Sequence, residues 1–407
     1  MMKNVALMMR PLLITVLVTF SIPIADAFAR PVETTALKRL GKKSFIEKQD
    51  RGTLQEITSP GELKEIACSY SQRQPGSSSY FKGWQHWKML AIESIRYDLS
   101  NNLPYQFDKA KFENLFFRLG VAADMGEMPS FSDPGARSGY ALEFFCRARN
   151  LADLYIDALN PSLDMPQNWV ESMKESPMLA GDSQDTRAYE MVSIGGGPGF
   201  DFVGSAMVAS FATHTFGEEA GSRAIQATVF DYEEGWGDLV KAMDISTRRV
   251  LQQSKLSCRW GGGCDITKSL DDPSNAGCLE AVKSTDLWIC QYCVAENAIR
   301  LKESDYIFFR ELFQHAKEGS VFVLTETHPR VWPEFYKLMK AHCAFMEIGF
   351  RKNGRQMLVR KSINGRQKTP LISNKDLELV KKFESIGKFH ERKLNSGWER
   401  QEKKHRR

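Results

Sequence analysis

Along the chain, the clearest change of pattern is at residues 189–194 (YEMVSI), where alternation gives way to a wholly apolar run that stops at three consecutive glycines. This is the pattern of a short buried parallel strand. An apolar run over 200–211 follows and predicts a helix. Further apolar stretches at 227–230, 256–263, 286–290 and 320–325 predict a second to a fifth strand, the third blurred by glycines. Amphipathic spacing predicts helices at 304–317 and 333–342. Two apolar runs, 345–350 and 355–359, flank the turn RKNG, and Asn353-Gly354 between such runs signals a hairpin.

The region 50–185 lacks strand alternation. In it Phe81, Trp84, Trp87, Leu90 and Ile95 recur at spacings of three to five, a helical stripe over 79–99 that reads as core. Helices are also predicted at 107–119 and 141–159, separated by a loop at 126–139 rich in Pro, Gly and Ser. The fold class is therefore α/β, with a helical N-terminal domain or lid at 51–187 ahead of a strand-and-helix domain at 188–362.

Between the first strand and its helix, Gly195, Gly196, Gly197 and Gly199 let the backbone turn tightly and pass close to a ligand that a Cβ would exclude. The helix N-terminus that follows offers unpaired N–H groups and positive dipole charge. The sixth position of GxGxxG is Phe200, which excludes the nicotinamide fingerprint, and no GK[ST] follows as a P-loop requires. A tight strand-to-helix turn with no ligand is the plainer alternative.

With this GxGxG turn, residues 189–362 resemble the class I S-adenosylmethionine-dependent methyltransferases. The resemblance rests on the order of the motifs, since each is degenerate. It implies a seven-stranded Rossmann-like sheet of order 3-2-1-4-5-7-6 ending in an antiparallel hairpin, with S-adenosyl-L-methionine as cofactor. It gives Gly195, Gly196, Gly197 and Gly199 the role of cradling the cofactor. Asp231, at the end of the second strand, would accept both ribose hydroxyls, as a carboxylate can; Glu233 could serve instead. Asp265 and Ile266 resemble the pair that meets the adenine, against the alternative of a capping Asp.

Catalytic residues of such sheets lie outside the carboxyl ends of the strands, where the fourth strand runs into QYCVAEN. This is neither [DN]PPY nor a Pro-Cys motif, so the acceptor atom stays open among N, O and C. Gln291 could orient an amine, Tyr292 stack on or bond a substrate, and Glu296 act as base. Strand-end packing and a helix cap are the bland reading of the same residues.

Residues 1–27 carry a basic start, an apolar run over 12–25 and a small-x-small ending at Ala25 and Ala27, which is a signal peptide. Segment 28–50 is basic and acid-poor, and the junction ADA-FARP resembles the bipartite plastid presequence of diatoms, in which a phenylalanine, here Phe28, opens the transit peptide. Plastid stroma is the expected address, the secretory pathway the alternative, with no stable membrane association after processing.

The 407 residues, 42% of them hydrophobic, suffice for a substantial core. The net charge of +5 is uneven, with 13 Lys and Arg against 6 acids from Gly365 onward. This tail, 363–407, is predicted helical at 375–389 and ends in EKKHRR; it would contact RNA or stay solvated. Of the eight cysteines, Cys290 and Cys293 form a CxxC. Its place at a buried strand end argues for reduced structural thiols, with no metal site expected. The expected function is methyl transfer to a small metabolite or an RNA, the oligomeric state left open. The alternative is a catalytically silent binding or assembly factor of the same fold.

Overall fold

The computed structural model describes residues 58–388 apart from 72, 74–75, 126–129, 177–178, 180–186, 217–223, 344–345, 352–353 and 363–370. The expected presequence and the end of the basic tail lie outside the described residues.

Eight strands form one mixed sheet: β1 Tyr189–Ile194, β2 Ile225–Asp231, β3 Leu256–Gly263, β4 Leu287–Gln291, β5 Val321–Thr325, β6 Met346–Arg351, β7 Gln356–Lys361 and β8 Leu371–Ile372. Their order is β3-β2-β1-β4-β5-β7-β6-β8. The expected order of seven is thus corrected to eight: a two-residue strand pairs in parallel with β6 and extends that edge. Two apolar residues next to an undescribed stretch carry too short a pattern to be read as a strand. Strands β1 to β5 run parallel, and β7 pairs antiparallel with both β5 and β6. Register is what builds an active edge here. Ile194 pairs with Phe230 and with Cys290, and Gln291 with Thr325, so β1, β2, β4 and β5 end side by side.

Strand geometry also sorts the core, because successive side chains point to opposite faces. Met191, Val229, Leu287, Ile289 and Val323 join one buried cluster with the N-terminal helices, whereas Val192, Phe230, Trp288, Cys290 and Leu324 join a second. All five residues of β4 are buried. Each large apolar side chain there contributes roughly 1.5–3 kcal/mol, and a one-residue slip would exchange the two faces.

Among the described residues six helices precede the sheet: α1 Pro60–Cys68, α2 Ser78–Asn101, α3 Lys109–Met125, α4 Pro134–Glu143, α5 Cys146–Asp157 and α6 Gln167–Glu175. They share the first hydrophobic cluster with β1, β4 and β5. The stripe of α2 is Tyr80, Trp84, Trp87, Ala91, Ile95 and Leu99, all buried, while Phe81 and Leu90 are only half-buried beside it. Two expectations need correction. The Pro-Gly pair read as loop opens α4: the Asp133 carboxylate accepts from Ala136 N–H at 3.0 Å, and Pro134 fills the first turn, where no N–H is needed. The helix expected at 141–159 is broken at Phe144 and Phe145, whose buried rings turn the chain from α4 into α5.

Helix α7, Phe200–Phe216, follows β1 and is buried on almost every side. Helices α8 Gly237–Leu251, α9 Ala276–Ala281, α10 Ala298–Glu303, α11 Ile307–His315 and α12 Trp332–His342 fill the remaining connections. The single helix expected at 304–317 begins later, at Ile307, because Asp305 and Tyr306 both take left-handed backbone conformations. A last helix spans 374–388. No helix among the described residues is long and apolar enough to cross a membrane.

Candidate functional site

At the end of β1 the chain turns through Gly195, Gly197 and Gly199, whose φ values are +61°, +52° and +95°. That left-handed backbone is what glycine supplies without strain. Gly195 N–H donates to the Phe230 carbonyl at 2.8 Å, tying the turn to β2. A Cβ on Gly195 would lie 2.7 Å from the Cys293 sulfur, and one on Gly196 would strike Ser193. Gly197 is different: its Cβ position meets only the rings of Trp236 and Tyr140, at 3.7 Å. The Cys293, Ser193 and Val229 side chains therefore close the inner side of the turn, and the Trp236 and Tyr140 rings roof the outer one.

Asp231 is buried at the end of β2 and faces this turn. One carboxylate oxygen accepts from Gly197 N–H at 3.0 Å, the other from Glu233 N–H at 3.2 Å. Burial pushes its pKa up to about 6 against the opposite pull of those two bonds and of Arg147. Glu233, the alternative acid, is bound up in a local turn. It accepts from Gly235 N–H at 3.2 Å and stands 3.8 Å from the Arg137 guanidinium.

Beneath the turn lies a buried knot. Asp201, in the first turn of α7, accepts from the Ser193 hydroxyl and from the Gln291 side-chain amide, linking β1, α7 and β4. The amide group of Gln291 is thereby engaged inside the protein, and its Oε1 is buried without a partner. Tyr292 has a left-handed φ of +59°, and its N–H donates to the Thr325 carbonyl at 2.7 Å. A bulky residue held in that region is strained by on the order of 1–3 kcal/mol. Its hydroxyl accepts from Asn150 at 3.2 Å, and burial pushes its pKa up to about 12.

Glu296 lies half-buried beyond Tyr292. Burial, then Glu326 and Asp231, push its pKa up to about 8, with Arg147 working the other way. Glu326, just past β5, accepts from Val294 and Ala295 N–H at 2.7 and 3.0 Å, and burial lifts its pKa to about 7. Cys293 rests against Gly195. The Cys290 thiol and burial hold its own thiol well above the ordinary range, so it is not a thiolate nucleophile. All eight cysteines are free, and among the described residues no three metal-ligating side chains come together.

Of the residues singled out in the sequence, Gly195, Gly197, Gly199, Asp231, Tyr292 and Glu296 gather at one edge. Asp265 and Ile266 make local contacts past β3. Asp265 caps its own turn, accepting from Thr267 N–H and hydroxyl at 3.0 and 2.6 Å, and Ile266 is buried with Phe230 and Leu270.

Arg147, Tyr140 and Glu326 belong to the site and went unnoticed in the sequence. Glu326 follows the fifth apolar strand directly, a signal like that of Asp231. Arg147 and Tyr140 sit on helices whose pattern speaks only of core.

No protein-family model matches the chain. No curated protein matches it either. Solved structures resembling it include an O-methyltransferase family protein from Burkholderia thailandensis, with 11% identity, a TM-score of 0.34, and coverage of 89% of this chain and 100% of that one. Cofactor-bound Rv0187 from MTB gives 12% identity, a TM-score of 0.28, and coverage of 63% and 92%. Precorrin-6y C5,15-methyltransferase from Geobacter metallireducens gives 12%, 0.24, and coverage of 43% and 80%.

Proposed function

We propose that the chain is an S-adenosyl-L-methionine-dependent methyltransferase. The carrying observation is the bond from Gly197 N–H to the Asp231 carboxylate, 3.0 Å long, which sets the glycine turn of β1 and the acid of β2 against one another at the sheet edge. An adenosyl cofactor fits this donor set. Each Asp231 oxygen accepts one hydrogen bond, and a carboxylate with about four acceptor sites keeps capacity for two ribose hydroxyls. The roof of Tyr140 and Trp236 supplies flat apolar surface beside the turn.

When bound, S-adenosyl-L-methionine supplies an electrophilic methyl group. The chain's own residues bind it, orient the acceptor and take up a proton. Asp231 and the glycine turn hold the adenosyl end; Tyr292 positions the acceptor, and Glu296 is the base in its ionised form, so turnover should rise with pH toward its raised pKa of about 8. Proximity and orientation provide most of the acceleration. The acceptor is a nucleophilic N, O or C on a small metabolite or an RNA. The site of action is the plastid stroma, reached through the signal and transit segments.

Titrating the purified protein with S-adenosyl-L-methionine by calorimetry tests the reading. Binding by the wild type, lost in Gly197→Val, is expected; equal affinity in both would remove the turn from the site.

A further inference from the structure

Arg147 is the least satisfied charged group of the site. The residue is 8% exposed, its Nε is buried without a partner, and Nη1 makes one long bond of 3.4 Å to the Gln291 carbonyl. Among the described residues no carboxylate lies within ion-pair distance of it. The ring centroids of Tyr292, Tyr140 and Phe144 stand 4.9, 5.1 and 5.8 Å from the guanidinium. Such rings accommodate the charge but satisfy no N–H group. A buried guanidinium retains its proton and its planar fork of donors, and that fork matches a carboxylate.

A second unmatched group, Glu296, lies near enough for Arg147 to act on it electrostatically. Among the described residues no hydrogen bond holds its carboxylate, and Arg147, Glu326 and Asp231 are the charged groups that act on it. Around these residues Asn150, Tyr292, Cys293 and Glu296 are all only half-buried, whereas Arg147 and Glu326 are buried. The arrangement is a rim that solvent reaches and a floor that carries a guanidinium and a carboxyl group.

That pairing discriminates among acceptors. A purely cationic acceptor meets the fixed charge of Arg147, and an acceptor without an anionic group leaves the guanidinium's donors unmatched. An acceptor with a carboxylate and an amine satisfies both ends at once.

Resting on the methyltransferase reading, we propose that the acceptor is an amino-acid-type metabolite whose carboxylate pairs with Arg147 and whose amine is methylated beside Glu296. Arg147 stands at the end of β4, beside the Tyr292 ring. The glycine turn and Asp231 stand at β1 and β2, while Tyr292, Glu296 and Glu326 stand past β4 and β5, and Arg147 bonds to the last carbonyl of β4. In the step, the amine enters unprotonated. Its lone pair forms the N–C bond to the transferred methyl as the C–S bond breaks and its electron pair stays on sulfur. The N–H proton passes to Glu296.

The experiment is calorimetry on the full chain saturated with S-adenosylhomocysteine, so that no turnover occurs. The common α-amino acids, their carboxamides and the corresponding amines lacking the carboxyl group are titrated in turn. At least one amino acid should bind, with its carboxamide and amine weaker by about tenfold or more, the loss of one charge-assisted bond. Arg147→Met should weaken that amino acid alike and, at a pH well above 6 where Asp231 is ionised without its help, leave S-adenosylhomocysteine within about twofold. Arg147→Lys, which keeps the charge, should recover part of the affinity.

Glu296→Gln should retain amino-acid binding and flatten the rise of turnover with pH. Equal binding of amine and amino acid would overturn the proposal, as would binding of no amino acid. So would an Arg147→Met effect confined to S-adenosylhomocysteine, which would assign the guanidinium to the cofactor, or competition by an oligoribonucleotide alone. Failure of the wild type to bind S-adenosylhomocysteine would instead refute the methyltransferase reading itself.

Discussion

At Asp231, burial and function pull in opposite directions. A carboxylate whose folded pKa of about 6 stands above the ordinary 3.8 binds its proton more tightly in the folded state. Its contribution to stability is therefore whole below pH 3.8 and is lost as pH rises through about 6. By this one group, wild type should lose up to about 3 kcal/mol relative to Asp231→Asn between those limits, since each unit is worth about 1.4 kcal/mol. Urea unfolding of both proteins across that range measures it; parallel profiles would mean that Asp231 is not buried as described.

Ligand affinity should move the other way, because two ribose hydroxyls need the ionised form. S-adenosyl-L-methionine binding should weaken as pH falls below about 6. In Asp231→Ala it should drop by at least about tenfold, given roughly 1.5–3 kcal/mol for each hydrogen bond to a charged group. If Glu233→Ala produced that loss and Asp231→Ala did not, the ribose acid would be misassigned.

Much of this residue-level chemistry was legible, because a strand end announces itself. Gly195 to Gly199 and Asp231 each follow an apolar run directly. Arg147 was not legible: nothing in CRARNLADLYID distinguishes the arginine that turns inward from Arg149, which is half-buried two residues later. Gln291 was read as facing substrate, but its amide is taken by Asp201, a partner ninety positions away that no local pattern reveals.

Among the elements, the hairpin of β6 and β7 offers the sharpest test of packing. Gly354 has φ +83°, and a Cβ there would come within 2.0 Å of the Phe383 ring on the 374–388 helix. Its carbonyl also accepts from the Trp332 indole N–H. Gly354→Ala combines left-handed strain with overpacking, each on the order of 1–3 kcal/mol, so the urea midpoint should fall by an amount matching at least about 2 kcal/mol. An unchanged midpoint would mean that the helix does not dock on the turn.

The hairpin was plain in the sequence because Asn-Gly between apolar runs has a mechanism. The start of α4 was not, since Pro and Gly there looked like loop and only the Asp133 bond to Ala136 shows a capped first turn. The eighth strand was missed because two residues give no period to detect.

On the scale of the whole molecule, the two faces of the sheet are covered by different parts of the chain. The N-terminal helices pack with β1, β4 and β5 in the same cluster that contains α7 and α8. Tyr140 and Arg147 of those helices reach the glycine turn and the end of β4, so the N-terminal segment supplies part of the site.

The address is a separate matter, carried by residues outside those described. A fusion of residues 1–48 to a fluorescent protein should enter the plastid stroma of a diatom. With Phe28→Ala it should pass the signal step and stop short of the stroma. Secretion of the unmutated fusion would contradict the plastid assignment.

The most direct measurement on the central claim is calorimetric titration of the purified protein with S-adenosyl-L-methionine, run side by side with Asp231→Ala and Gly197→Val. The account predicts one site per chain in the wild type, at least about tenfold weaker binding in Asp231→Ala, and no detectable binding in Gly197→Val, with all three proteins unfolding cooperatively. Wild-type protein that is folded and takes up no S-adenosyl-L-methionine, or three equal affinities, would contradict it.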